Sequence, residues 1–142
     1  MKKKRADTKT YVFPLPGKHL AIPIVSLDGN NNFTVNIYRA IIKRQKIQTA
    51  ELYERNIPLL RMCFGGKPHS NPEEDAPMER FRRFEGADLG ENHLHYYVEK
   101  WGTVWGVPLV IHFDDSYPLS KLANYFMEIC NVIEKPVVTG GL

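Results

Sequence analysis

The chain has little of what marks secreted, membrane-spanning or multidomain proteins. Its 142 residues include only two cysteines, Cys63 and Cys130, and both lie in apolar patterns typical of reduced core residues. No run approaches the roughly 18 apolar residues that a membrane span needs, and Met1–Arg5 leads into polar residues rather than an apolar signal core. We therefore expect one cytoplasmic domain with no membrane partner.

The formal net charge of +3 is concentrated in the first half of the chain. Four basic residues within Met1–Arg5 predict a basic, disordered tail over residues 1–10, ahead of a single domain at 11–135 and a C-terminal tail at 136–142. Basic segments that fold onto one surface attract polyanions. RNA is therefore one candidate partner.

Alternating apolar residues predict an antiparallel sheet. The strand-like segments are 19–27, 33–39 with a continuation to 43, 47–54, 58–64, 93–99 and 104–113. The first two should form a hairpin around the turn at Asp28–Asn32. Residues 47–54 also fit a helical turn, but their position between two strand-like segments favours a strand.

One amphipathic helix follows the predicted strands. Asp114–Ser116 supplies an N-cap, Pro118 lies in the first turn, and apolar residues recur at helical spacing from Leu119 to Ile133. The apolar stripe needs a partner, and the sheet is the available one. The predicted fold class is therefore α+β: a curved antiparallel sheet of five to six strands closed by a C-terminal amphipathic helix.

The segment 65–92 has no period, and its length is typical of functional loops. It carries His69 and Lys67 towards the strand at 93–99. It also carries Arg80, Arg82 and Arg83, which alternate with two phenylalanines. Such a pattern suits guanidinium contacts to phosphates and ring stacking on bases, and it equally suits a short helix or strand with a basic outer face.

Two of the five histidines share one face of a predicted strand. Period two places His93, His95, Tyr97 and Glu99 together. Cleaving RNA through its own 2′-hydroxyl needs a base, an acid and positive charge near the phosphate. We therefore predict a site for that chemistry without a cofactor. Its catalytic residues would be His69, His93, His95 and Tyr97, and its substrate-binding residues Arg61, Lys67, Arg80, Arg82 and Arg83.

Two alternatives use the same residues differently. The spacing His93-x-His95-x3-Glu99-x6-Gly106 resembles the first cupin motif, which implies a divalent metal bound by His93, His95 and Glu99. The second cupin motif is absent. The histidines also suit a polar sheet surface in a non-catalytic module that binds protein or nucleic acid, with Trp101, Trp105 and Tyr117 as aromatic anchors.

Four segments between residues 33 and 110 resemble a known kind of protein. They are Leu59–Met62, Gly65–Pro72, His93–Glu99 and Trp105–Pro108. Together they are similar to small uncharacterised bacterial proteins of a domain-of-unknown-function family, with a Gly-x-x-His-x-Asn-Pro loop and a His-x-His-x-Tyr strand. Met62-Cys63 departs from that pattern, which has an aspartate after the arginine. The resemblance implies a toxin-like ribonuclease of a toxin–antitoxin system or mobile element, with an antitoxin as its protein partner.

Overall fold

The fold is built mainly from strands that pair with their neighbours along the chain. The computed structural model describes residues 1–41, 48–109 and 118–141. In this part of the chain the strands are β1 (Lys3–Arg5), β2 (Thr10–Val12), β3 (His19–Ser26), β4 (Asn32–Arg39), β5 (Gln48–Glu54), β6 (Ile57–Phe64), β7 (His93–Tyr96), β8 (Gly106–Pro108), β9 (Val132–Glu134) and β10 (Val137–Thr139). The helices are α1 (Glu79–Arg82) and α2 (Leu119–Ile129).

Eight strands form one open sheet in the order β8-β7-β6-β5-β4-β3-β1-β9. Strands β3 to β8 pair antiparallel in succession, as the alternating pattern predicts, and the hairpin around Asp28–Asn32 is confirmed. The predicted size of five to six strands is wrong, because β1 and β9 extend the sheet to eight. The predicted closure is also wrong, since β8 and β9 lie at opposite edges.

The first and last segments of the chain pair with each other. Strand β1 lies between β3 and β9, antiparallel to the former and parallel to the latter. In β1, the buried Lys3 donates hydrogen bonds from Nζ to the carbonyl oxygens of Cys130 at 2.7 Å and Met1 at 2.9 Å. Strands β2 and β10 form a separate parallel pair. Residues 1–10 and 136–142, both predicted as tails, thus contain strands.

The C-terminal helix is present, but it is shorter than the apolar spacing predicts. Helix α2 ends at Ile129, and Asn131 has a φ of 62°, the left-handed conformation that commonly ends helices. Ile133, the last residue of the predicted stripe, instead lies in β9 and is exposed. In the described part of the chain, neither helix has the length and apolar character to cross a membrane.

The two faces of the sheet differ in character. One face packs against α2 and forms the core with residues from every strand between β3 and β7, namely Ile22, Ile24, Phe33, Val35, Ile37, Ala50, Leu52, Met62, Phe64 and Leu94. The opposite face carries polar side chains, which include His19, Glu51 and Arg61. Four predictions fall on residues outside the described part: the strand continuation at 42–43, the strand end at 110–113, the helix N-cap at 114–116 and the anchor Tyr117.

Candidate functional site

The candidate site forms on the polar face, where β6 and β7 pair. Their register sets Arg61 opposite His95 and Cys63 opposite His93. Because side chains alternate across a strand, residues 61 and 63 project to the same face. Two separate sequence segments thus contribute an arginine, a cysteine and two histidines to one patch of the sheet.

A third histidine covers this patch from the long loop. The His69 ring lies 4.5 Å from the His95 ring and 5.6 Å from the His93 ring, measured between centroids. The rings of His93 and His95 are 4.8 Å apart. We call Cys63, His69, His93 and His95 the histidine–cysteine cluster. The sequence places His69 in the loop that leads to β7 but does not establish whether it reaches the strand histidines; in the structure its ring lies beside both of them.

Two of these histidines, His69 and His93, each form a hydrogen bond between one ring nitrogen and a backbone carbonyl. His93 Nδ1 lies 3.0 Å from the Gly90 oxygen, and His69 Nε2 lies 2.8 Å from the Val104 oxygen. A carbonyl oxygen only accepts, so each of these nitrogens carries the proton. The lone pair of a neutral ring then lies on His93 Nε2 and on His69 Nδ1, where it is available to bind a metal or accept a proton.

Burial keeps the strand histidines neutral. His93 and His95 are 2% and 1% exposed. Loss of hydration lowers the pKa of His93, and it lowers the pKa of His95 to about 3, with the Arg61 charge adding to the effect at both. Burial also raises the pKa of the Cys63 thiol, although the Arg61 charge and hydrogen bond partly oppose this shift. At neutral pH His93 and His95 are therefore neutral imidazoles and Cys63 is a thiol.

Three members of the cluster are arranged as metal ligands. The Cys63 sulfur and one nitrogen each of His93 and His95 all lie within 4.8 Å of one another. Among the described residues, the buried side-chain polar atoms without a hydrogen-bond partner are Arg61 Nε, His95 Nδ1 and Trp105 Nε1, all from this end of the sheet. Buried polar atoms are rarely left unpaired, and of these three only His95 Nδ1 belongs to the cluster, where it could bind an ion or ligand.

The other predicted site residues lie away from the cluster. Strand β7 ends at Tyr96, so Tyr97 and Glu99 are exposed beyond the strand. Among the described residues, the group of possible metal ligands therefore joins His93 and His95 with Cys63, and Glu99 is outside it. Lys67 is exposed in the loop.

Two of the three loop arginines, Arg80 and Arg83, line a different groove. Arg80 lies over the Tyr96 ring with 4.4 Å between guanidinium carbon and ring centroid, and Arg83 lies over Phe84 at 4.7 Å. Arg82 instead forms an exposed ion pair with Glu79 at 3.2 Å. Tyr96 follows His95 and therefore projects to the opposite face. The groove of about 570 Å³ at Arg80 and Arg83 is thus on the far side of β7 from the cluster.

A second groove, which the sequence analysis did not identify, adjoins the cluster. It has a volume of about 300 Å³ and shares residues with the patch, its lining being His19, Tyr38, Thr49, Glu51, Arg61 and Cys63. We call it the β3–β6 groove. The alternation of side chains within each strand could have placed these residues on the polar face. Only the register across four strands shows that they line one groove.

The loop over the cluster is fixed by Asn71, the asparagine of the Asn-Pro pair. Its Oδ1 accepts a hydrogen bond from the Gly106 amide at 2.9 Å, and its Nδ2 donates to the carbonyl oxygens of Gly106 at 2.8 Å and Phe84 at 3.1 Å. His69 is attached to the same edge of the sheet through Val104. The motif residues thus tie the loop down over His93 and His95.

Residues 1–132 match a family described as a family of unknown function (DUF6978). No curated protein matches the chain, and no solved structure does so either.

Proposed function

Because the chain belongs to a family of unknown function, DUF6978, membership assigns no chemistry to it, and we propose that the protein is a metal-dependent hydrolase of phosphate esters. Cys63, His93 and His95 bind the ion. The observation that carries the proposal is the convergence of their ligand atoms within 4.8 Å. A bound metal ion removes the proton of a coordinating thiol, and a thiolate with two imidazoles is a ligand set typical of zinc.

The hydrogen bonds around the histidines support metal binding. Histidines that bind metals usually donate their other N–H to a carboxylate or a backbone carbonyl, which orients the ring. His93 does so through Gly90, and its Nε2 is left as the ligand atom. His95 has an unpartnered, buried Nδ1, which metal coordination would satisfy. Its neutral form at neutral pH is the form that binds metals.

The proposed chemistry needs a Lewis acid and a positively charged group that binds the phosphate oxygens. Zinc held by Cys63, His93 and His95 would supply a Lewis acid for the phosphate. Arg61, opposite His95 on the next strand, supplies a guanidinium for the phosphate oxygens. In the reaction, the oxygen of water bonds to phosphorus and the ester P–O bond breaks. The departing oxygen takes up the proton that water loses.

The sequence predicts a nucleic-acid-directed ribonuclease that needs no metal, and this is the second candidate. Three imidazoles in contact beside Arg61 favour it. The pKa of His95 near 3 opposes it, because an imidazole that is unprotonated at neutral pH cannot act as a general acid. In this candidate, the loop histidine His69 must therefore donate the proton, because burial lowers the pKa of His93 as well. The family resemblance implies a toxin role for this candidate, in which an antitoxin would be the protein partner.

Metal analysis and cleavage of RNA test the two candidates together. We expect one zinc ion per chain, and we expect cobalt-substituted protein to show a sulfur-to-cobalt charge-transfer band. Cys63→Ser should abolish that band. Cys130→Ala is the matched control, because Cys130 is buried in the core and belongs to no metal-ligand group in the described part of the chain.

Activity is then measured on RNA with zinc-loaded protein, with chelated protein and after zinc is restored. Cleavage that disappears with the chelator and returns with zinc supports the metal-dependent hydrolase. Equal cleavage before and after chelation would favour the second candidate instead. If the protein binds no metal and cuts nothing, both candidates fail, and a non-catalytic binding module becomes the better description.

A further inference from the structure

We propose that the β3–β6 groove binds one nucleotide unit of the substrate, with Arg61 contacting the phosphate and the paired rings of His19 and Tyr38 stacking on the base. This inference rests on the proposed function, whose substrate class it specifies. The groove and the histidine–cysteine cluster share Cys63, and Arg61 lies between them. A phosphate bound by Arg61 would therefore lie at the boundary between groove and metal ligands.

The aromatic end of the groove supplies the stacking surface. His19 and Tyr38 are directly opposite each other on β3 and β4, and their ring centroids are 4.6 Å apart with an interplanar angle of 34°. His19 is exposed and Tyr38 is partly exposed, so their rings remain accessible. Stacking of a base on an aromatic side chain contributes about 1–3 kcal/mol without regard to base identity.

The dimensions of the groove suit one unit. Arg61 and Tyr38 lie two strands apart, about 10 Å across the sheet, and their register offsets them by two residues, about 7 Å along the strands, so their Cα atoms are about 12 Å apart. The volume of about 300 Å³ is at the lower end of the range for ligand sites. A single nucleotide fills such a space, whereas a duplex cannot enter it.

Polar groups between the two ends can bind a ribose. Thr49 offers a hydroxyl, and Glu51 offers carboxylate oxygens, one of which accepts the Tyr53 hydroxyl at 2.5 Å. Glu51 lies opposite Arg61 on the adjacent strand. The carboxylate suits a ribose hydroxyl and opposes a second phosphate. The groove is therefore better suited to one phosphate with its nucleoside than to an extended polyanion.

Binding is measured with adenosine monophosphate and with a short single-stranded RNA, both in EDTA, so that neither metal binding nor turnover affects the result. The first probe represents a free nucleotide and the second a nucleotide within a strand. Arg61→Gln should weaken binding by about tenfold to a hundredfold, as expected for a hydrogen-bonded charge. Tyr38→Leu should weaken it by about fivefold to a hundredfold through lost stacking.

Arg82→Gln is the matched control, because it removes the same charge from an exposed position remote from the groove, and we expect unchanged affinity. Thermal unfolding of each variant checks that it folds. If Arg61→Gln does not fold, Tyr38→Leu and His19→Ala still test the stacking end. Wild-type affinity in the Tyr38→Leu variant would overturn the proposal. Loss of binding in Arg80→Gln alone would also overturn it, because RNA would then bind in the other groove. Loss confined to RNA would identify a strand as the ligand, and equal loss for both probes a free nucleotide.

Discussion

Replacing Asn71 by alanine tests whether the long loop is fixed over the histidines by one side chain. Asn71 is 4% exposed, and its amide group makes three hydrogen bonds to backbone atoms of Gly106 and Phe84. Each such bond contributes about 0.5–1.5 kcal/mol net. We therefore expect Asn71→Ala to lower the free energy of unfolding by about 3 kcal/mol.

Urea titration followed by circular dichroism measures this loss, read from the shift in midpoint at constant slope. Asn32→Ala is the control, because Asn32 is exposed and its replacement should cost less than about 0.5 kcal/mol. Asn71→Asp keeps the acceptor but replaces both donors by oxygen, so it should destabilise the protein at least as much as alanine. A loss below about 1 kcal/mol for Asn71→Ala would refute the reasoning.

Two further predictions concern Gly106 and Cys130. A Cβ at Gly106 would lie 3.0 Å from the Leu94 oxygen and 3.4 Å from His95 Nδ1. Gly106→Ala should therefore cost about 1–3 kcal/mol in urea titration and weaken zinc binding, and unchanged values for both would contradict this packing. Burial raises the pKa of Cys130 from 9.0 to about 12. Because the folded chain favours the neutral thiol, this contribution to stability is complete below pH 9.0 and is lost as the pH rises towards 12. Stability should fall less steeply from pH 8 to 11 in Cys130→Ala than in the wild type, when both are measured by urea titration.

The sheet was predictable from the sequence where its strands alternate between apolar and polar residues. Ile22, Ile24, Val35 and Ile37 all follow period two, and they all lie in the core. Strand β1 lacks such a signal, because four adjacent residues are charged. What makes it a strand is backbone pairing with β3 on one side and with β9, from the other end of the chain, on the other. No local pattern carries that information.

The candidate site was predictable only in part. His93 and His95 stand out as a pair on one strand, and His69 precedes them in a loop long enough to reach back. Cys63 appeared to be a core residue because its neighbours are apolar. It becomes a candidate ligand only when the β6–β7 register sets it opposite His93. Glu99, the third ligand of the cupin-like alternative, is exposed and lies beyond the end of β7, which period two alone did not indicate.

The pairing of β1 with β9 and of β2 with β10 has a consequence for the order of folding. The hairpins from β3 to β8 join segments that are near in sequence, whereas these two pairs must close loops that span almost the whole chain. Closing long loops costs more entropy, and contacts between distant segments form slowly. The cluster lies in β6, β7 and the loop between them, and the pairing of β6 with β7 closes only that loop, residues 65–92. We therefore expect the cluster to assemble early in folding, before β1 and β9 pair at the opposite edge of the sheet.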